Sequence, residues 1–128
     1  DHSSAIESAA QQFGVDADLI RAVIYEEQTH LLPLEALAER LNVGITVGLG
    51  QVSVGLYGYT REQLLNPTTN IQAIAQHLAN IQSQPLIDSH MPTASVGTTY
   101  NCGTCTAITN YGMRVFYFRQ RFVFNSWQ

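Results

Sequence analysis

Asp18-Leu19-Ile20-Arg21-Ala22-Val23-Ile24-Tyr25-Glu26-Glu27 is the stretch that decides the fold. Ile20, Val23 and Ile24 recur at helical spacing, so the segment reads as a helix with an apolar stripe. Asp16 stands where a capping side chain belongs. At roughly 100° per residue, Glu27 falls in the middle of the stripe and Glu26 falls on its flank beside Leu19. Arg21 and Tyr25 point the opposite way. This reading expects Glu27 to be the buried carboxyl of the pair. A buried carboxyl resists ionising and can act as a general acid near neutral pH, which is the group a glycosidase needs. The plain alternative is a glutamate at a helix end that reaches water.

The rest of the chain continues in helices. Ser4-Ala5-Ile6-Glu7 reads as a capping box, and Gly14 as a helix stop, which predicts a first helix over Ala5 to Phe13. Pro33 suits the first turn of a third helix, with Leu34, Leu37 and Leu41 on its apolar side and Gly44 beyond. A glycine-rich stretch follows, from Gly44 to Gly58. Thr60-Arg61-Glu62-Gln63 is a second capping box opening a short helix, which Asn66-Pro67 breaks. Ile71, Ile74, Ala75, Leu78 and Ile81 mark an amphipathic helix from about Thr69 to Gln82. Pro85 and Pro92 bracket a loop. Thr93 to Tyr100 reads as a short helix so poor in charge that it belongs in the interior. Ile108, Tyr111, Val115, Phe118 and Phe122 step by three and four along a long terminal helix. No run of any length alternates like a strand. The expectation is all-α, with about seven helices around one core and a single domain over residues 1–128.

Composition narrows the classes of function. The chain has 128 residues, is 45% hydrophobic, and carries a net charge of −4 without a single lysine. Only 12% of residues are charged, about half the usual share, so much of the surface is uncharged and polar. A negative chain with three of its six arginines in the last fifteen residues is a poor footprint for nucleic acid or for a polybasic membrane anchor. No stretch approaches the ~20 apolar residues of a membrane span. The sequence opens Asp1-His2-Ser3-Ser4, without methionine or an apolar leader, as expected of a mature form or an excised piece. The histidines are scattered and the cysteines number two, so no metal site is expected. Cys102 and Cys105 are spaced either for a local disulfide, which would suit an oxidising compartment, or for two free thiols packing a loop.

Four short motifs now stand in order. The helix from Leu19 ends in Glu27. Gly48-Leu49-Gly50-Gln51 lies in the glycine loop. Asn66-Pro67 with Asn70-Ile71 opens a helix. Tyr100-Asn101, with Gly103 close behind, precedes Asn110-Tyr111. Together they resemble the catalytic domain of the soluble lytic transglycosylases, whose motifs run Glu-Ser, Gly-Leu-Met-Gln, Tyr-Asn-Ala-Gly and Asn-Tyr-Val. The resemblance spans about Leu19 to Val115. It implies a lysozyme-like α domain acting on peptidoglycan strands in the periplasm or outside the cell, without a cofactor. It implies cleavage of the β-1,4 bond between N-acetylmuramic acid and N-acetylglucosamine, with Glu27 as the single acid. Gln51, Tyr100, Asn101 and Tyr111 would then line the substrate cleft, with Gln28 near the acid.

The chain also departs from the family. Gln28 replaces the serine, Gly50 the methionine and Cys102 the alanine, and Pro33 to Leu41 is inserted. The altered glutamine loop is similar to that of transglycosylases serving conjugation and secretion machines, so a secretion-machinery or inhibitor partner is compatible with it. Each site residue has a structural alternative. Gln51 could cap a turn, Tyr100 and Tyr111 could be core aromatics, Asn101 could stop a helix, and Gly48 and Gly50 could merely permit positive φ. Two other functions fit the sequence: a hydrolytic muramidase of the same fold, and an inactive module that binds glycan or a protein. After Glu62 the only acid is Asp88. With Glu35 and Glu39 on the inserted helix, it is the candidate for the second carboxylate that a hydrolase needs.

Overall fold

A computed structural model describes residues 2–30 and 46–126. The segment read as the inserted helix, Pro33 to Leu41, lies outside the described residues, and Glu35 and Glu39 with it. The architecture is mostly helical. Helix α1 is Ser3–Phe13 and α2 is Ala17–Thr29; a minimal antiparallel pair follows, β1 (Thr46–Val47) and β2 (Val52–Ser53). A 3-10 turn at Leu56–Gly58 leads to α3 (Arg61–Leu65), α4 (Pro67–Gln82), α5 (Pro92–Asn101) and α6 (Asn110–Ser126). The described residues thus form six α-helices, where the sequence predicts about seven over the whole chain.

Local signals account for most boundaries. Gly14 takes the left-handed conformation that closes α1, with φ 67°. The Asp16 side chain accepts the Asp18 amide at the start of α2. Thr60 and Gln63 exchange both hydrogen bonds of a capping box. Asn66-Pro67 breaks the short helix as predicted: Asn66 ends α3 and caps α4, and Pro67 occupies the first turn of α4, two residues before the expected start near Thr69. The Ser4–Glu7 box is not formed. Helix α1 begins two residues earlier, at Ser3, with His2 as its N-cap and no capping side chain, so Ser4 is already inside the helix.

Buried residues of α1, α2, α4, α5 and α6 form one core, with Ile20, Ile71, Ile74, Leu78 and Val115 fully enclosed. Helix α5, predicted to be interior, buries Ala94 through Thr98. It approaches α6 closely because Gly112 offers no side chain. A Cβ there would collide with the Thr98 hydroxyl and the Ala94 carbonyl, and one at Gly97 would stand 3.0 Å from Val115. That approach sets the start of α6, where Tyr111 lies.

The sequence gives no sign of strands, yet the described residues hold two. They are two residues each, too short to alternate, with Thr46 opposite Ser53 and Val47 opposite Val52. Gly48-Leu49-Gly50-Gln51 is the turn between them, closed by the Gln51 amide donating to the Gly48 carbonyl at 3.2 Å.

Candidate active site

Helix α2 delivers two adjacent carboxylates, and their burial reverses the sequence expectation. Glu26 is fully buried, whereas Glu27 is only half-buried. The buried residues of α2 are Leu19, Ile20, Ala22, Val23 and Glu26, while Ile24 keeps partial exposure. The true stripe is therefore rotated toward Leu19 and Ala22, by most of one residue's ~100° step. The cause is α6, which lies along that side of α2 and brings Arg114 onto Glu26.

Glu26 Oε1 accepts from Arg114 Nε at 2.8 Å and lies 2.6 Å from Arg114 Nη2. Its Oε2 faces His30 Nδ1 at 3.1 Å. Glu26 is thus a buried carboxylate neutralised by neighbours rather than a solvent-facing flank. Sequence reading missed it. The available signal was its position three residues after Val23 and seven after Leu19, which places it on the buried line.

Glu27 reaches the partly open end of α2. The Tyr111 hydroxyl donates to its Oε1 at 2.7 Å across the α2–α6 junction. Tyr111 therefore keeps its ring in the core, as one of the two readings expects, while its hydroxyl meets the carboxylate. Burial, reinforced by the Glu27 charge, pushes the Tyr111 hydroxyl far above the ordinary phenol range. The same two causes, in the same order, raise Tyr100.

The glycine turn is tied to this end of α2 by Gln28, to α5 by Tyr100, and across itself by Gln51. Gln28 Nε2 donates to the Leu49 carbonyl at 2.9 Å, Tyr100 Oη donates to the Gly50 carbonyl at 2.9 Å, and Gln51 Nε2 donates to the Gly48 carbonyl at 3.1 Å. Glycine is required at two turn positions for different reasons. Gly48 has φ 81° and abuts the Asn70 amide, whereas a Cβ at Gly50 would meet the Ile74 side chain at 2.5 Å and Tyr100 Oη at 2.9 Å. Gln51 itself adopts a positive φ of 49°, a conformation that costs a non-glycine residue on the order of 1 kcal/mol or more.

Asn70, fully buried, is the anchor beneath the turn. Its Nδ2 donates to the Val47 carbonyl at 2.8 Å and the Leu64 carbonyl at 3.0 Å, and its Oδ1 accepts the Gly50 amide at 3.1 Å. The motif reading includes Asn70 but assigns it no role. Its three buried partners give it one.

The structure thus pairs Glu27 with Tyr111 and gathers Gln28, Gln51 and Tyr100 on the glycine turn, the two groups meeting where Glu27 and Gln28 are neighbours on α2. Asn101 is the exposed last residue of α5, and its side chain joins none of them. Of the two readings open for the cysteines, the disulfide is the one found: Cys102 and Cys105 are bonded, with Cα atoms 5.5 Å apart, in the loop leading to α6. Among the described residues no three metal-ligating side chains gather, and no helix is long and apolar enough to cross a membrane. Asp88 lies in the loop before α5, where its Oδ1 accepts the His90 amide and contacts the His90 ring. Comparison with protein-family models, characterised proteins and solved structures returns no match.

The tyrosines give this site a testable signature. A hydroxyl raised in the folded state holds its proton where the unfolded chain, titrating near 10, has lost it. The stability that Tyr100 and Tyr111 contribute is therefore present below about pH 10 and lost as the pH rises beyond. An alkaline titration of phenolate absorbance is expected to show both ionising only as the protein unfolds. Tyr111→Phe should shrink that unfolding-linked step; an unchanged step would show that Tyr111 titrates freely.

Proposed function

We propose that the protein is a peptidoglycan lytic transglycosylase in which Glu27 is the single acid and base. The observation that carries the reading is the environment of Glu27. Its carboxylate stands at a partly open helix end, oriented by a buried tyrosine hydroxyl at 2.7 Å, beside a pinned glycine turn. Gln28, Gln51, Tyr100 and Tyr111, from the motifs that resemble the soluble lytic transglycosylases, lie on the glycine turn beside Glu27 or on Glu27 itself, which supports the reading. The adjacent Glu26 is engaged by Arg114 and His30, so it does not compete for the acid's role.

In this mechanism protonated Glu27 gives its proton to the glycosidic oxygen. The bond from that oxygen to the anomeric carbon of N-acetylmuramic acid breaks, and N-acetylglucosamine leaves with a new hydroxyl. The Glu27 carboxylate then takes the proton of the muramic acid 6-hydroxyl as O6 bonds to the anomeric carbon. The product is a 1,6-anhydro sugar, and the acid returns to its starting form. No water is consumed. The 6-hydroxyl holds an entropic advantage over free water because it is tethered to the reacting ring. Positive charge developing on the ring is met by the Glu27 carboxylate and by the dipoles of the turn. Gln51, Tyr100, Asn101 and Gln28 are proposed to border the bound strand.

A lysozyme-like fold and a place in the periplasm or outside the cell belong to the same reading. The Cys102–Cys105 disulfide suits an oxidising compartment.

Digestion of purified peptidoglycan followed by mass analysis tests the proposal. Anhydro-ended muropeptides are expected to predominate, each lighter by one water than its hydrolysed counterpart. Mostly hydrated reducing ends would replace this reading with a muramidase, and Asp88, Glu35 and Glu39 would be the carboxylates to substitute first. Binding without turnover would identify an inactive glycan-binding module.

A further inference from the structure

Glu26 and Glu27 are consecutive on α2, and the two α6 residues that meet them, Arg114 and Tyr111, are three apart on one helix face. The result is a two-point junction, with Tyr111 Oη on Glu27 at 2.7 Å and the Arg114 guanidinium on Glu26 at 2.6 and 2.8 Å. One hydrogen bond alone would leave α6 free to slide or roll against α2. A second, one helical turn further along α6, removes that freedom.

The second bond is built to be stiff. Glu26 is fully buried while the Arg114 side chain is 38% exposed, so salt screens the pair less than it would two surface charges. Two nitrogens of the planar guanidinium address one oxygen, which a lysine cannot reproduce. The other oxygen, Oε2, lies 3.1 Å from His30 Nδ1, an ion pair whenever that ring is protonated, and accepts no hydrogen bond. His30 Nδ1 in turn lies 2.9 Å from Thr29 Oγ1 and 3.3 Å from the Glu26 carbonyl, at the C-cap of α2. Glu26 is therefore tied both to α6 and to the end of its own helix.

We infer that Arg114 is a positioning residue, which through buried Glu26 fixes the register of α6 on α2 and thereby holds the Tyr111 hydroxyl on Glu27. It touches no substrate in this role. The inference rests on the proposed reading of Glu27 as the acid, and its test is arranged so that the two can fail separately.

The test compares the wild type with Arg114→Lys, Tyr111→Phe and the double variant. The measurements are turnover of purified glycan strands, melting temperature, and the titration of the Glu27 side chain by carbon-detected NMR. Arg114→Lys keeps the charge and loses the two-nitrogen grip. It is expected to lower kcat roughly 10-fold to 100-fold, the scale of a misplacement near 1 Å, with KM unchanged. Tyr111→Phe removes a donor to the charged carboxylate, so the Glu27 midpoint should rise; Arg114→Lys should move it the same way. The double variant should be no worse in kcat, and no further shifted, than Tyr111→Phe alone. A Glu27 midpoint untouched by Arg114→Lys would overturn the inference. So would effects on kcat that multiply and merely track the loss of melting temperature. An inactive wild type whose Glu27 titration still couples to Arg114 would overturn the catalytic reading and uphold the positioning. If Arg114→Lys fails to fold, the paired Glu26→Gln, Arg114→Gln variant, which removes both charges together, takes its place with the same expectations.

Discussion

Glu27→Gln is expected to abolish cleavage of peptidoglycan while leaving the fold in place. Glutamine keeps the shape of the side chain and an oxygen able to accept from Tyr111, so the bond across the α2–α6 junction survives in kind. What it removes is the exchangeable proton, which the mechanism uses twice. Loss of a general acid typically lowers a rate by a factor of about 10² to 10⁴, and a group serving as both acid and base belongs at the upper end. Glu27 is only half-buried and glutamine matches its shape, so the melting temperature should move little. Glu26→Gln is expected to do the reverse in kind. It removes a buried, charge-assisted partner of Arg114 at a cost of about 1.5–3 kcal/mol, with activity falling only as far as the junction loosens. A Glu27→Gln enzyme that still turns over, beside a folded but dead Glu26→Gln, would exchange the two assignments.

Asn70→Asp is expected to be the most damaging isosteric change outside the acid. The side chain keeps its size, and Oδ1 can still accept the Gly50 amide. Both donor bonds to the Val47 and Leu64 carbonyls are lost, and a carboxylate oxygen faces those carbonyls in a site with no exposure. Each buried carbonyl left without its donor costs about 1–3 kcal/mol, before the penalty of burying a charge. The total is a large fraction of the 5–15 kcal/mol by which a domain is typically stable. A fall in melting temperature on the order of 10 °C or more is expected at neutral pH. The deficit should shrink in acid. A carboxyl buried among carbonyls holds its proton more tightly folded than unfolded, so the folded state is favoured below the unfolded value near 3.9 and loses ground as the pH rises. Thermal melts across that range check the sign. A variant as stable as the wild type at neutral pH would mean that Asn70 does not anchor the turn.

The sequence by itself determined the helices and many of their ends. Ile71, Ile74, Leu78 and Ile81 recur at helical spacing, and all are buried on α4. Gly14, Asp16 and the Thr60–Gln63 box are local devices whose partners lie within four residues, so their chemistry is readable without knowing the fold. The short strands carried no signal because two residues cannot alternate. Gln28, Gln51, Tyr100 and Tyr111 could be named from the order of the motifs, but not the hydrogen bonds they make.

What only the tertiary structure decided was which glutamate is enclosed. Periodicity makes α2 a helix, but it leaves the helix's rotation about its own axis to the neighbour that packs on it. Ile24 drew the sequence-predicted face toward Glu27; α6 settled on the other side and buried Glu26. The reason Glu26 can be buried lies 88 residues away, in the guanidinium of Arg114. The same distance in sequence hides the double role of Tyr111, whose helical spacing marks a core aromatic and whose hydroxyl meets a carboxylate 84 residues earlier in the chain. Local sequence encodes local hydrogen bonds. A charge that needs a partner across the core becomes legible only when the two helices meet.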